Sequence, residues 1–222
     1  MPGVGSPSLA SASLRLAGDD SGVWLRHDPL LLASTSATRR LLLESAGLPL
    51  ETEAPGVDER AVEAGAAGAP PQEIARRLAA EKAFAVSRRR PGRVVVGADQ
   101  VLELDGEVLH KPTDRAAAGR QIARLSGRTH ALHTAFAVAL DGAIRHEGLD
   151  SARLTMRPLD AAAVERYLDF AGNAVTQSVG GYQLEGAGIH LFERVEGDHS
   201  TILGLPLLPL LAALRGMGLL AF

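Results

Sequence analysis

The chain has 222 residues, 46% of them hydrophobic and 22% charged, enough for one sizeable core or for two small lobes sharing a sheet. Only 4% is aromatic, so Leu, Val and Ala must build that core, and the formal net charge of -3 without a long basic run excludes bulk binding of a nucleic acid polymer. The absence of cysteine excludes disulfides, thiol catalysis and thiolate metal sites and agrees with a cytoplasmic setting, and no stretch approaches the length of a membrane span.

Residues 1–28 are rich in Gly, Ser, Ala and Asp and lack the basic start and apolar block of a secretory signal, so they read as a flexible extension. Leu30 to Ala33 is a short buried-strand candidate. Ser36 is placed to cap a helix over Ala37 to Ala46 that Gly47 ends. A second strand is expected over Leu50 to Ala54, followed by a turn at Val57-Asp58-Glu59 and a loop from Ala61 to Pro71. The next helix covers Gln72 to Val86, with Ile74, Leu78 and Ala85 as its apolar stripe, Glu81 inside that stripe and Lys82 at its edge.

Val94 to Val96 is the strongest buried-strand signal, with Gly97-Ala98-Asp99-Gln100 just beyond it. Val101 to Leu104 and Glu107 to Leu109 flank Asp105-Gly106, a hairpin signal. A helix from Asp114 to Leu125, a strand from Thr129 to Leu140, a turn at Asp141-Gly142 and a return strand over Ser151 to Arg157 follow. Asp160 caps a helix to Phe170. The Gly-rich stretch Val179 to Gly188 precedes a strand over Ile189 to Arg194, and Leu207 to Arg215 is the last helix, with Pro209 in its first turn. Helices mixed with hairpins predict an α/β fold on a mixed sheet.

Several segments carry chemistry. The run Leu31 to Glu44 ends an apolar strand in a hydroxyl-rich turn, and a helix with two arginines follows at once. That layout suits a phosphate: Ser34 and Ser36 offer hydroxyls, the helix N-terminus adds partial positive charge, and Arg39 and Arg40 can close on the same anion. A helix cap followed by solvated arginines is the competing reading. Asp99, beyond a Val-rich strand, faces the crevice in which α/β sheets bind ligands, where it can ligate a cation, orient a water or accept its proton. Lys111 stands before Pro112, which biases it towards an extended backbone. Asp58 and Glu59 form a second acidic point. His130 and His133 resemble a metal pair, but three positions apart on a strand they point to opposite faces.

In this order the segments resemble the Maf family of nucleoside triphosphate pyrophosphatases. The resemblance rests on Leu-Ala-Ser-Thr-Ser-x-x-Arg-Arg from Leu32, Val-Asp-Glu at Val57, Glu-Lys-Ala at Glu81 and Gly-Ala-Asp-Gln at Gly97. It continues through Lys-Pro at Lys111, Leu-Ser-Gly-Arg-Thr-His at Leu125, Gly-Tyr-Gln-Leu-Glu-Gly at Gly181 and Gly-Leu-Pro-Leu at Gly204. It implies a domain over 29–222, a mixed sheet with flanking helices, two lobes around a central cleft, and a homodimer. It also implies hydrolysis of a nucleoside triphosphate between the α and β phosphates with a divalent cation, Mg²⁺ or Mn²⁺. By motif position Asp99 matches the proton acceptor, Ser34, Arg39, Lys82 and Lys111 match phosphate-contacting positions, and Glu59 with Asp99 matches the metal or water contacts. Members that resemble the dTTP/UTP group carry an arginine, a threonine and a glutamine where this chain has Thr38, Gln100 and Glu185. Gln100 and Glu185 are similar to the group acting on 7-methyl-GTP, whose cationic purine a carboxylate favours. The family's link to septum formation leaves a nucleotide-binding regulator of cell division as the alternative function.

Overall fold

The computed structural model describes residues 22–222. The strands are β1 (Leu30–Leu32), β2 (Leu50–Thr52), β3 (Val95–Leu104), β4 (Glu107–Leu109), β5 (Thr129–Leu140), β6 (Ala143–Met156) and β7 (Phe192–Glu196). The helices are α1 (Ala37–Ser45), α2 (Glu59–Ala64), α3 (Pro71–Arg89), α4 (Arg115–Leu125), α5 (Ala161–Ala171), α6 (His199–Ile202) and α7 (Leu207–Gly216). The sheet runs β2-β1-β3-β5-β6-β7, with β4 also on β3. β1 is parallel to β2 and β3, and the other pairings are antiparallel. This is the mixed α/β sheet with flanking helices that the sequence implies.

Helix α3 covers one face of the sheet. The other face carries two separate apolar cores. One gathers Leu32, Val96, Phe136 and Val138 under Leu43 of α1 and Leu210 and Leu214 of α7. The second gathers Leu102, Leu132 and Leu154 under Ile122 of α4, Leu168 of α5 and Tyr182. β3 and β5 run through both, so two lobes share one set of strands.

One edge of β3 is fully laddered to β5, from Val95 opposite Ala139 to Glu103 opposite Ala131. Its other edge is divided. β1 takes Val95 and Val96, β4 takes Leu102 to Leu104, and neither strand pairs with the stretch between. A buried peptide group without a partner is costly, and here Arg39 meets that demand by donating from Nη1 to the Ala98 carbonyl at 2.9 Å.

Several expectations change. Asp99 lies inside β3 rather than beyond it, because the ladder with β5 carries the weakly strand-forming Gly-Ala-Asp-Gln through. The loop placed over Ala61 to Pro71 begins as α2, which Asp58 caps by accepting from the Ala61 N–H at 3.1 Å. β6 starts at Ala143 rather than Ser151, since Asp141 and Gly142, at φ 53° and 67°, make the tight turn that starts pairing immediately. The last strand begins at Phe192, after a 3-10 turn over Ala187–Leu191. Of the segment read as an extension, Trp24 is buried and bridges Leu220, while residues 1–21 lie outside the described residues.

The stripe on α3 also differs. It consists of Ala75, Leu78, Ala79, Lys82, Ala83 and Val86; Lys82 is buried within it and Glu81 is exposed. Its alanines give little hydropathy signal but allow α3 to approach β3 at Gly97. A Cβ there would lie 2.5 Å from the Ala83 main-chain nitrogen and closer still to the Ala79 carbonyl oxygen. Gly97→Ala is therefore expected to destabilise the fold by about 2 kcal/mol or more, since backbone cannot yield as a side chain can. A melting temperature equal to that of the unaltered protein would contradict this close packing.

Candidate active site

The approach at Gly97 decides where the charged residues meet. Asp99 follows two positions later on the same face of β3, and Lys82 projects towards it from the very turn of α3, between Ala79 and Ala83, that meets Gly97. Lys82 Nζ lies 2.6 Å from Asp99 Oδ1 and 2.6 Å from Glu59 Oε1. Lys82 and Asp99 are both buried, at 6% and 8% exposure, whereas the Glu59 side chain, at the start of α2, is half open. Burial pushes the Asp99 carboxyl above its ordinary range, and the Lys82 and Arg39 charges oppose that rise. No described residue donates to Asp99 Oδ2.

The hydroxyl-rich turn sits over the open stretch of β3. Ser36 caps α1 by accepting from the Arg39 N–H at 3.3 Å, and the Ser34 hydroxyl accepts from the Ser36 N–H at 3.1 Å. The N–H groups of Ala37 and Thr38, in the first turn, have no acceptor within the helix. Arg39 is anchored rather than free. Besides the Ala98 carbonyl, it donates from Nε to the Gly204 carbonyl at 2.7 Å, and burial lowers its pKa. Arg39 thus pins both β3 and the segment after α6, presenting the rest of its guanidinium to the cavity.

These groups line one cavity of about 570 Å³ that wraps the open edge of β3 and reaches both faces of the sheet. On the α3 side it meets Glu59, Lys82 and Asp99. At its middle are Ser34, Ser36 and Arg39, with Lys111 exposed at the end of β4. On the opposite side are Thr38, Gln100, Tyr182 and Glu185, and the Thr38 hydroxyl lies 3.4 Å from Glu185 Oε1 across the opening. Arg40 stands apart. It lies outside the cavity lining, its Nε 3.6 Å from Glu44 one turn along α1.

His130 and His133 do point to opposite faces. His133 meets Glu103 at 2.7 Å and Ser151 at 2.8 Å. His130 meets the Tyr182 hydroxyl at 2.6 Å and packs beside Phe192. Sequence reading missed this support for the cavity wall, and also Thr134, Thr201 and the Gly204 carbonyl. His130 and Gly204 lie in motifs the sequence offers and Thr134 and Thr201 in none, but in every case the contact is to a partner distant in the chain.

The profile of Maf-like proteins matches residues 29–217, and the chain belongs to that family. A nucleoside triphosphate pyrophosphatase of Nitrobacter winogradskyi is 57% identical over 199 residues, covering 90% of this chain and 98% of its own. One of Rhodopseudomonas palustris is 52% identical, covering 90% and 99%. A 7-methyl-GTP pyrophosphatase of Rhizobium johnstonii is 51% identical over 191 residues, covering 85% and 96%. By this membership the chain is an enzyme of the nucleoside triphosphate pyrophosphatase class. Among the described residues no helix is long and apolar enough to cross a membrane, and no group of three or more His, Asp or Glu gathers as a metal site.

Burial pushes His130 down from 6.5 to about 4, so the folded protein keeps it neutral where the unfolded chain protonates it. Its contribution to stability is present in full above pH 6.5 and is lost as pH falls towards 4, up to about 3 kcal/mol. Urea titrations at pH 7 and pH 4.5 should show this loss, and His130→Phe should flatten it. An equal pH slope in the variant would contradict the assignment.

Proposed function

We propose that this enzyme hydrolyses 7-methyl-GTP to 7-methyl-GMP and pyrophosphate, and that the residues around β3 carry the reaction. The observation that supports it is a buried carboxylate paired to a buried ammonium at the floor of a cavity whose middle is a hydroxyl-rich turn at a helix N-terminus. In this reading the triphosphate lies over Ser34, Ser36, the free N–H groups of α1 and Arg39. Lys82 and Lys111 add positive charge to the phosphates. Asp99 Oδ2, to which no described residue donates, takes the proton from the water that attacks the α phosphorus. Cleavage adds charge to the departing pyrophosphate, which fixed cations stabilise without reorganising.

The donor set suits a divalent cation of the Mg²⁺ or Mn²⁺ kind. Glu59 and Asp99 supply two hard carboxylates close to the phosphate site, and phosphate oxygens and water would complete the shell. When bound, such a cation polarises the phosphoryl oxygens. On the far side, Gln100 and Glu185 read the base, and the Glu185 carboxylate favours the cationic ring that N7-methylation creates. The Rhizobium johnstonii relative, named for that substrate, supports this reading.

Pyrophosphate release should be fastest on 7-methyl-GTP and slower on GTP, UTP and dTTP. It should cease on chelation and return with Mg²⁺ or Mn²⁺. Asp99→Asn should lower turnover by about a thousandfold with the fold retained, the scale expected for loss of a positioned base. A folded Asp99→Asn protein with near-normal turnover would remove Asp99 from the reaction. Tight nucleotide binding with negligible turnover by the unaltered protein in metal would favour the division regulator.

A further inference from the structure

A single polar rung separates the two apolar cores. Gln100 of β3 stands directly opposite Thr134 of β5, and Thr134 directly opposite Asp150 of β6. Ala98 and Phe136 on one side belong to the first core, and Leu102 and Leu132 on the other side to the second. Thr134 and Thr201 are fully buried, at 0% exposure, so each polar atom there needs a partner.

The partners form one chain. The Thr201 hydroxyl donates to Asp150 Oδ2 at 2.7 Å, which ties α6 to the sheet. The Thr134 hydroxyl donates to the Thr201 carbonyl at 2.9 Å. Its one proton is then used, and its oxygen can only accept. Gln100 Nε2 lies 2.9 Å from that oxygen, 2.9 Å from the Thr201 carbonyl and 3.0 Å from the Ile202 carbonyl. An ordinary side-chain amide can be turned about without geometric penalty, but this one cannot. Turned over, its oxygen would face the Thr201 and Ile202 carbonyls at hydrogen-bond distance, neither of which can donate.

The orientation has a consequence for the cavity. With Nε2 committed to the protein, Gln100 Oε1 has no donor among the described residues, and it is not a closed-off atom. It lines the cavity as an acceptor. Across the same compartment Glu185 is also an acceptor once ionised. The compartment therefore asks for hydrogen-bond donors from the base. Guanine offers two adjacent ones, N1–H and the 2-amino group, whereas uracil and thymine offer one N–H between two carbonyls that these acceptors would repel.

We infer that Thr134 and Thr201 are positioning residues for base selection, locking Gln100 so that its carbonyl oxygen reads donors on the base. This rests on the reading of Gln100 as the base-facing residue. Neither threonine touches the substrate, so their effect should appear in discrimination and not in the chemical step.

The test compares 7-methyl-GTP, GTP, ITP and UTP with the unaltered enzyme, Thr134→Val/Thr201→Val and Thr134→Ser/Thr201→Ser. The unaltered enzyme should prefer GTP to ITP, which lacks the 2-amino group. In the valine pair the KM for the preferred nucleotide should rise about tenfold, with kcat within about twofold, the scale of one or two lost hydrogen bonds. The serine pair keeps both hydroxyls and should keep the preference. If the valine pair does not fold, Thr134→Val alone should show about a threefold loss. A folded valine variant with undiminished discrimination would overturn the inference, as would a serine pair that loses as much as the valine pair. An unaltered enzyme without any base preference overturns it too. Preference for UTP would refute the 7-methyl-GTP reading and the donor rule, while loss of that preference in the valine pair would still uphold the positioning role.

Discussion

A buried ammonium between two carboxylates governs this molecule. Taking Lys82 and Asp99 out of water costs several kcal/mol per ion, which a single pairing offsets only when the geometry is good. The geometry is set by packing. Gly97 and the alanines at 79 and 83 let helix and strand approach more closely than side chains ordinarily permit, and Lys82 and Asp99 follow as neighbours. Glu59 then joins from the first residue of α2, held there by the Asp58 cap. A core of larger residues on α3 would bury more surface and separate the two charges.

The second determinant is the divided edge of β3. Since β1 and β4 take only its ends, adjacent residues reach the same cavity from opposite faces of the sheet. Asp99 enters the compartment under α3, and Gln100 enters the compartment between the two lobes. Arg39 satisfies the unladdered, buried Ala98 carbonyl and also fastens the chain after α6. The residues proposed for chemistry and for recognition are thus one position apart in sequence yet face different surroundings. Asp99 is tuned by charge and burial, while Gln100 is fixed by hydrogen bonds.

Much of this was legible in the sequence. The helix caps Ser36 and Asp160, the turn at Asp105-Gly106 and the span of β5 follow from local chemistry, and the structure agrees at each, while Asp114, read as the first residue of its helix, is its cap. The grouping of Ser34, Arg39, Lys82 and Asp99 was legible from the order of motifs. What stayed hidden depends on tertiary contact. The stripe of α3 was displaced because alanine signals burial weakly, and Lys82 was read at its edge for that reason. The first half of β6 carries Arg145, His146, Glu147 and Asp150, so it reads as polar loop although β5 holds it in register. Arg40 looked like a second phosphate ligand beside Arg39, but one step along a helix is a rotation of about 100°, enough to turn it outward to Glu44.

Lys82 and Asp99 are expected to act as one unit. A double-mutant cycle tests this most directly, with turnover measured for Lys82→Met, Asp99→Asn and the two combined, each checked for retained fold. The expected result is strong non-additivity, with the combined variant scarcely slower than the worse single one, because each change alone already disables the pair. Losses that multiply independently would contradict it.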